Sequence, residues 1–439
     1  MSLVEESELR VEPASALVGE LVPPGDKSIS HRALLLAAIG EGSCEISGFG
    51  ANEDTLATLA AMRALGAEVE LLDAGATLLA VRGCGLRGLR EPEDVIDVEN
   101  AGTLLRLLPG ILAGQRGTFT LDGDETIRRR PVDRIAIPLR AMGIEVVDSD
   151  GRPPLSVTGG TPSAIEYELP VASAQVKSCV LLAGLFAAEG PTTVVEPLAT
   201  RDHTERMLRA AGVRVERKGS RISVWPVERL ELATRIEVPA DPSSAAPFIV
   251  AATLLAESRL FVRGMSMNPA RIGLLSVLER MGGRIAIFNR RQTGGGEPIA
   301  DLEVHAAELT ATIIEAEHVP SLVDELPIIA LAASMAHGTT LVRGAHELKV
   351  KESNRLETTA QLVRQVGGHI RVTEDGWHIT GVPARPRGGI VDAQGDHRIG
   401  MLGAIAGLVS QRGVRIANAD AIAVSYPSFG ETLERLAQR

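Results

Sequence analysis

A short signature recurs five times along this chain: the end of an amphipathic helix, a glycine, then an alternating strand. It reads AMRALGAEVEL at Gly66, PLRAMGIEVV at Gly143, MLRAAGVRVE at Gly212, VLERMGGRIAI at Gly282 and LVRQVGGHIRV at Gly367. A sixth helical stretch, TLERLAQR, closes the chain where the strand would follow. Leu or Met at i and i+3 or i+4, with Arg between, marks an amphipathic helix. A glycine just past the last turn can adopt the left-handed conformation that caps a helix. The alternation that follows is that of a half-buried strand. Any α/β protein contains helix–Gly–strand turns, but here the glycines are 77, 69, 70 and 85 residues apart. Spacing so even predicts one α/β folding unit used six times.

Two similar segments divide the six units. VPPGDKS begins at Val22 and VPADPSS at Val238, and each passes from a strand through Pro into a helix capped by Asp or Ser. Three signature glycines lie between them; two, with the final helix, lie after. The expected domains are therefore 22–239 and a second made of 240–439 with the N-terminal strand in 1–21. The chain would cross twice at a hinge near 21–25 and 238–242, a clamshell arrangement that commonly binds ligands.

The chain has 439 residues, 45% of them hydrophobic and 23% charged, enough for two domains. Composition confines disorder to the polar opening MSLVEESELRVEP. A net charge of −11 and few aromatic residues (2 Trp, 2 Tyr and 7 Phe) argue against nucleic acid as a partner. Cys44, Cys84 and Cys179 are odd in number and widely spaced, which argues against a disulfide framework or a metal site. With no basic-then-apolar leader and no apolar run near 20 residues, neither secretion nor a membrane is expected. The expected location is the cytoplasm.

Cationic and polar clusters mark one helix opening after another. Lys27, Ser28, His31 and Arg32 crowd the start of an apolar helix over 33–39. Cations there oppose the helix dipole, while free N–H groups attract an anion. The spacing lacks the glycine of a nucleotide P-loop, because position 22 is Val. Glu99-Asn100-Ala101-Gly102-Thr103 opens a helix over 104–112, where backbone N–H groups could approach a phosphate. Arg128, Arg129 and Arg130 precede Pro131 at an expected helix start. Ser173, Ala174 and Gln175 lead into an apolar helix over 179–188, and Thr200-Arg201-Asp202-His203-Thr204-Glu205 opens another, where capping and packing would also suffice. Asp324-Glu325 precedes a buried helix over 326–333, as caps or as a tuned base. Lys351 and Arg355, four apart, are expected on one helix face with Glu352 beside them. Asp396-His397-Arg398 precedes a buried helix over 399–408. Gathered in one cleft, these groups would suit a ligand with several negative charges.

The segments PGDKSISHRALLLAA, NAGT, RRRPVDR, SAQVKSCVLLAGL, TRDHTERM, DPSSAA, DELPIIALAA, VKESNRL, DHRIGM and SYPSF together resemble the 5-enolpyruvylshikimate-3-phosphate synthase family, in order, over about 20–435. The resemblance implies a two-domain, inside-out α/β barrel fold, each domain three βαβαββ repeats. It implies addition of the 5-hydroxyl of shikimate 3-phosphate to C2 of phosphoenolpyruvate, protonation at C3, then loss of phosphate. No cofactor or metal is implied, and a monomer is expected. Carried over by motif, the catalytic set is Asp324, Glu352, Lys27 and Lys351. Shikimate 3-phosphate would be held by Lys27, Ser28, Arg32, Ser173, Ala174, Gln175, Arg201, Asp324 and Lys351. Phosphoenolpyruvate would be held by Lys27, Asn100, Gly102, Arg130, Gln175, Arg355 and Arg398. Three positions depart from the family pattern: Glu99 replaces a Gly, Val424 a Lys of some members, and His31 a common Asn. The related UDP-N-acetylglucosamine enolpyruvyl transferases carry a loop Cys where this chain has Glu125, and Lys-Asn where it has Lys27-Ser28.

Overall fold

All five signature glycines have positive φ: 100° at Gly66, 81° at Gly143, 75° at Gly212, 97° at Gly282 and 102° at Gly367. That is the left-handed conformation in which a Cβ is strained. Each one ends a helix and turns the chain into a strand. The computed structural model describes residues 8–439. By its internal contacts the chain forms two compact units. The first contains the chain up to Pro23, Ala240–Arg291 and Pro298–Arg439; the second contains Pro24–Pro239 and Gln292–Glu297.

The second unit holds three copies of one βαβαββ motif. In the clearest, strand Ile96–Asp97 leads to helix Gly102–Leu112, strand Thr118–Asp122, helix Asp133–Ala141 and a hairpin of Glu145–Ser149 with Arg152–Thr158. The first two strands pair parallel; the last hairpin strand pairs antiparallel with both the second strand and its own partner. Another copy follows the same order: Glu166–Glu168, helix Ala174–Gly184, Thr192–Val195, helix His203–Ala210, then Val215–Lys218 with Arg221–Val224. In the remaining copy the first strand comes from the far end of the segment. Arg235–Glu237 pairs parallel with Ser43–Ser47, beside the hairpin of Glu68–Leu71 and Leu78–Arg82. Helices Lys27–Ala38 and Glu53–Ala64 complete that copy.

The first unit repeats the motif. Strand Ala16–Leu21 runs parallel to Arg259–Ser266, which follows helix Pro242–Leu254. Helix Gly273–Arg280 and the strands Arg284–Gln292 and Pro298–His305 complete that copy, and Ala437–Gln438 adds an edge strand. The next copy runs from Ile313–Ile314 through helices Leu326–Ser334 and Arg355–Gln365 to Trp377–Gly381. In the last, Gly389–Asp392 and Val414–Ala417 flank helix His397–Val409, and Glu8–Val11 pairs antiparallel where a hairpin strand would lie. The expected polar opening thus contains a strand at Glu8–Val11, where Val11 is buried; residues 1–7 lie outside the described residues.

In each copy one helix is buried along nearly its whole length, while the strands alternate buried and exposed positions. In the first unit these are Pro242–Leu254, Leu326–Ser334 and His397–Val409; in the second, Lys27–Ala38, Gly102–Leu112 and Ala174–Gly184. Helices inside and half-covered sheets outside make this an inside-out α/β barrel arrangement. Each fully covered Leu or Ile on such a helix contributes roughly 1.5–3 kcal/mol of transfer free energy. Among the described residues no helix is long and apolar enough to cross a membrane.

Candidate functional site

In the second unit the buried helices bring their N-terminal turns, and the side chains flanking them, toward one another. Lys27 is the first residue of its helix, so its cluster lies inside the helix and not ahead of it; Asp26 caps it by accepting from Ile29 N at 2.9 Å. Lys27 Nζ is 2.7 Å from Asp54 Oδ2. One turn on, Arg32 is 4% exposed. Its Nε donates to Thr204 Oγ1 at 2.7 Å, its Nη2 to Ser178 Oγ at 2.8 Å and its Nη1 to the Ser28 carbonyl at 2.9 Å. Burial lowers the Arg32 guanidinium to about 10, although Glu205 and Asp26 pull the other way. Ser178 donates in turn to the carbonyl of Ala174 at 2.7 Å. Ser173 caps that helix, accepting from Val176 N at 3.4 Å, and Gln175 Nε2 reaches Thr103 Oγ1 at 3.1 Å.

Thr103 belongs to the helix opened by Ala101 and Gly102. Arg130 Nη2 donates to Asn100 Oδ1 at 3.1 Å, and Arg106 Nη1 to the Gly102 carbonyl at 3.0 Å. A Cβ on Gly102 would lie 2.7 Å from Arg130 Nη1 and 2.9 Å from Arg106 Nη1, so the two guanidiniums close directly over a residue without a side chain. Burial, then the charges of Arg130 and Arg134, lowers Arg106 to about 10. Clustered, desolvated cations at a helix N-terminus make a strong anion site. Only the third arginine of the triplet serves it. Arg128 pairs with Asp122 at 2.7 Å and Arg129 with Glu125, both as surface ion pairs. The triplet ends a short helix, Glu125–Arg128, and does not open one; the following helix begins at Asp133. The expectation of arginines at a helix start fails there.

Arg201 lies between Thr200 and the helix His203–Ala210, half-buried. Glu99, the departure in the Gly102 loop, has φ 49°, the left-handed conformation that a glycine would adopt without strain. His31 is 0% exposed and its Nδ1 lies 2.6 Å from Thr58 Oγ1.

In the first unit three carboxylates gather around Arg355, which is 2% exposed. Its Nε donates to Asp396 Oδ2 at 2.8 Å, its Nη2 to Glu352 Oε2 at 2.6 Å and its Nη1 to Asp324 Oδ1 at 3.4 Å. Burial works against this charge, but Glu352, Asp396 and Asp324 together hold Arg355 above its ordinary range. The same guanidinium holds Asp396 low against the opposing effect of burial. Asp396 also caps helix His397–Val409, accepting from Arg398 N at 2.9 Å. Arg398 Nη1 donates to the Ser243 carbonyl at 3.0 Å. A recess lined by Asp324, Glu325, Ser243 and Arg398 lies at these helix starts. Glu325 is buried and takes the Ser243 hydroxyl; burial pushes its carboxyl above the usual range.

Lys351 corrects an expectation. The helix starts at Arg355, and Lys351 is extended (φ −81°, ψ −161°), so the two share no helix face. Its ammonium turns back to Glu347 at 2.6 Å. Val424 ends the 3₁₀ turn Ala419–Val424 and carries no charge, while the Tyr426 ring beyond it packs on Phe248 and Phe429. Sequence reasoning gave no role to Asp54, Arg106, Lys177 or Glu196. Asp54, Lys177 and Glu196 are placed by partners distant in sequence, whereas Arg106, four after Gly102, had a local signal.

The family model for EPSP synthase (3-phosphoshikimate 1-carboxyvinyltransferase) matches residues 11–433. The 3-phosphoshikimate 1-carboxyvinyltransferase of Gloeobacter violaceus is 48% identical over 432 residues, covering 98% of this chain and 99% of that one. That of Shouchella clausii is 46% identical over 425 residues, covering 96% and 97%. A solved EPSP synthase structure from Acinetobacter baumannii superposes with a TM-score of 0.90 at 39% identity, covering 98% of each chain.

Proposed function

Because this chain belongs to the EPSP synthase family, we propose that it transfers the 1-carboxyvinyl group of phosphoenolpyruvate to the 5-hydroxyl of shikimate 3-phosphate and releases phosphate. The reaction is one bond made and one broken. The hydroxyl oxygen adds to C2 while a proton goes to C3; phosphate then leaves C2 as C3 gives a proton back. Such a sequence needs a base at the hydroxyl, an acid at C3 and cations around two phosphates.

The observation that carries the reading is the Arg355 cluster. A buried guanidinium draws Asp324 and Glu352, from segments 28 residues apart, into one site. In this reading Asp324 accepts the hydroxyl proton and Glu352 handles the proton at C3, with Lys27 and Lys351 completing the acid–base set. Arg355, Arg398, Arg130, Asn100, Gln175 and the Gly102 backbone bind phosphoenolpyruvate. Ser28, Arg32, Ser173, Ala174, Gln175 and Arg201 bind shikimate 3-phosphate, with Lys27 serving both ligands. The contacts of Lys27 with Asp54 and of Lys351 with Glu347 would be exchanged for ligand oxygens. The reaction involves no net redox change and works on small molecules, and we place it in the cytoplasm, which suits the three free thiols.

The test is product analysis. Incubation with both ligands should give a new species carrying the added carboxyvinyl group, detected by mass spectrometry together with free phosphate. No adduct from folded protein would overturn the proposal.

A further inference from the structure

Lys177 is sealed inside the second unit, 0% exposed, and none of the roles above uses it. Its ammonium lies 3.0 Å from Glu196 Oε2 and 2.8 Å from Glu205 Oε1, on carboxylates that are themselves 0% and 2% exposed. Buried charges persist where partners compensate them, and removing one partner leaves an uncompensated charge. One ammonium between two carboxylates leaves a negative charge over. Arg217 balances it at Glu196, and Arg32 lies near Glu205 as a second cation. Arg217 reaches in from the surface to Glu196 Oε1 at 2.8 Å. Arg32 is bonded through Nε to Thr204, the residue before Glu205, and feels the Glu205 charge as its strongest attraction.

The cluster sits beneath the groups assigned to shikimate 3-phosphate. Glu196 Oε2 also accepts from Thr200 N at 3.2 Å and Thr200 Oγ1 at 2.8 Å, and Lys177 Nζ lies 3.5 Å from the Thr200 carbonyl. Thr200 immediately precedes Arg201. Glu205 lies on the helix that Arg201 leads into, and Ser178, next to Lys177, receives Arg32. Four segments are thus tied at one ammonium: the Ala174–Gly184 helix, Glu196, the Thr200 loop and the His203–Ala210 helix.

We propose that Lys177 is a positioning residue that holds Glu196 and Glu205 together, fixing the Arg201 loop and leaving Arg32 free to bind the phosphate of shikimate 3-phosphate. The proposal rests on the reading of Arg32 and Arg201 as ligands of that substrate. Without the ammonium, the buried Glu205 carboxylate loses its 2.8 Å partner, and its charge, one residue from the Thr204 hydroxyl that holds Arg32, competes with the substrate for that guanidinium. Glu196 keeps Arg217.

The experiment is steady-state kinetics on K177M, K177M/E205Q and K177M/E196Q, with thermal midpoints measured alongside. K177M should raise KM for shikimate 3-phosphate by about tenfold or more, the scale expected for an unpaired buried charge. Its kcat and its KM for phosphoenolpyruvate should stay within about threefold, the spread of a remote structural change. K177M/E205Q should bring KM for shikimate 3-phosphate back toward wild type, because the competing carboxylate is gone. K177M/E196Q should not, because Glu205 still holds Arg32. Parallel loss of every parameter, with both double variants alike, marks a purely structural lysine and overturns the proposal. So does an unchanged KM in folded K177M. If K177M does not fold, E205Q alone decides: the proposal expects a lower KM for shikimate 3-phosphate, and an unchanged or raised KM at intact thermal midpoint overturns it. Wild-type protein that releases no phosphate from the two substrates removes the underlying reading instead, and is distinguished by that control.

Discussion

Acidification should loosen the second unit through a single imidazole. His31 is fully buried among Lys27, Arg32, Asp26 and Asp54, and burial lowers it from 6.5 to about 3. The carboxylates Asp54 and Asp26 oppose that shift, while Lys27 and Arg32 reinforce it. In the unfolded chain the ring takes up a proton below its ordinary value; in the folded chain it does not until about pH 3. The unfolded state therefore binds more protons in that window, so stability is full above 6.5 and is lost as pH falls toward 3. The slope for one group is about 1.4 kcal/mol per pH unit, giving a loss of about 2 kcal/mol at pH 5 and about 3 kcal/mol at pH 4. Against a total of about 5–15 kcal/mol this is large. The assay is urea unfolding at pH 7.5, 6 and 5 in wild type and His31→Asn, followed through Trp225 in a Trp377→Phe background, since Trp225 lies in the second unit and Trp377 in the first. Asn can keep the bond to Thr58 and cannot titrate. Other groups titrate in both proteins, so the difference between the two pH slopes isolates His31. Equal slopes would refute the reasoning.

Asp324→Asn and Glu352→Gln should each lower kcat by about 10²- to 10⁴-fold, the usual contribution of a positioned acid or base, with KM values little changed; steady-state rates near wild type for both would remove the assigned roles. Arg130→Ala should weaken phosphoenolpyruvate binding by about 10- to 100-fold, from loss of charge-assisted hydrogen bonds of about 1.5–3 kcal/mol, which a KM measurement checks. Glu99→Gly should raise stability by about 1 kcal/mol, because an L-residue at left-handed φ is strained by about 1–2 kcal/mol and glycine returns part of that to unfolded-chain entropy; an unchanged urea midpoint would show the loop relaxes around Glu99.

The repeat was legible because its physics is local. An apolar stripe, a glycine able to take positive φ and an alternating strand are each written within about a dozen residues, and Gly66, Gly143, Gly212, Gly282 and Gly367 all adopt that conformation. What the sequence could not supply is pairing at long range. Arg235–Glu237 completes a sheet with Ser43–Ser47, and Gln292–Glu297 belongs to the second unit although its flanking strands build the first. His203 lies inside that second unit with its Nδ1 2.8 Å from Glu297, a pairing across 94 residues. The same limit governs the site. Periodicity put Lys351 on a helix with Arg355, but the chain is extended there and Arg355 turns to Asp396, 41 residues on. The Arg128–Arg130 run read as one feature and divides into two surface ion pairs and one guanidinium at Gly102. Lys177 stood in the polar lead-in to the apolar helix expected over 179–188, and nothing near it in sequence announces Glu196 or Glu205.

The most direct measurement is the initial rate of phosphate release with both shikimate 3-phosphate and phosphoenolpyruvate present, with each alone, and with both in Asp324→Asn. The account predicts release only when both are present, and its near-abolition in the variant. Release from phosphoenolpyruvate alone at a comparable rate, or full activity in Asp324→Asn, would contradict it.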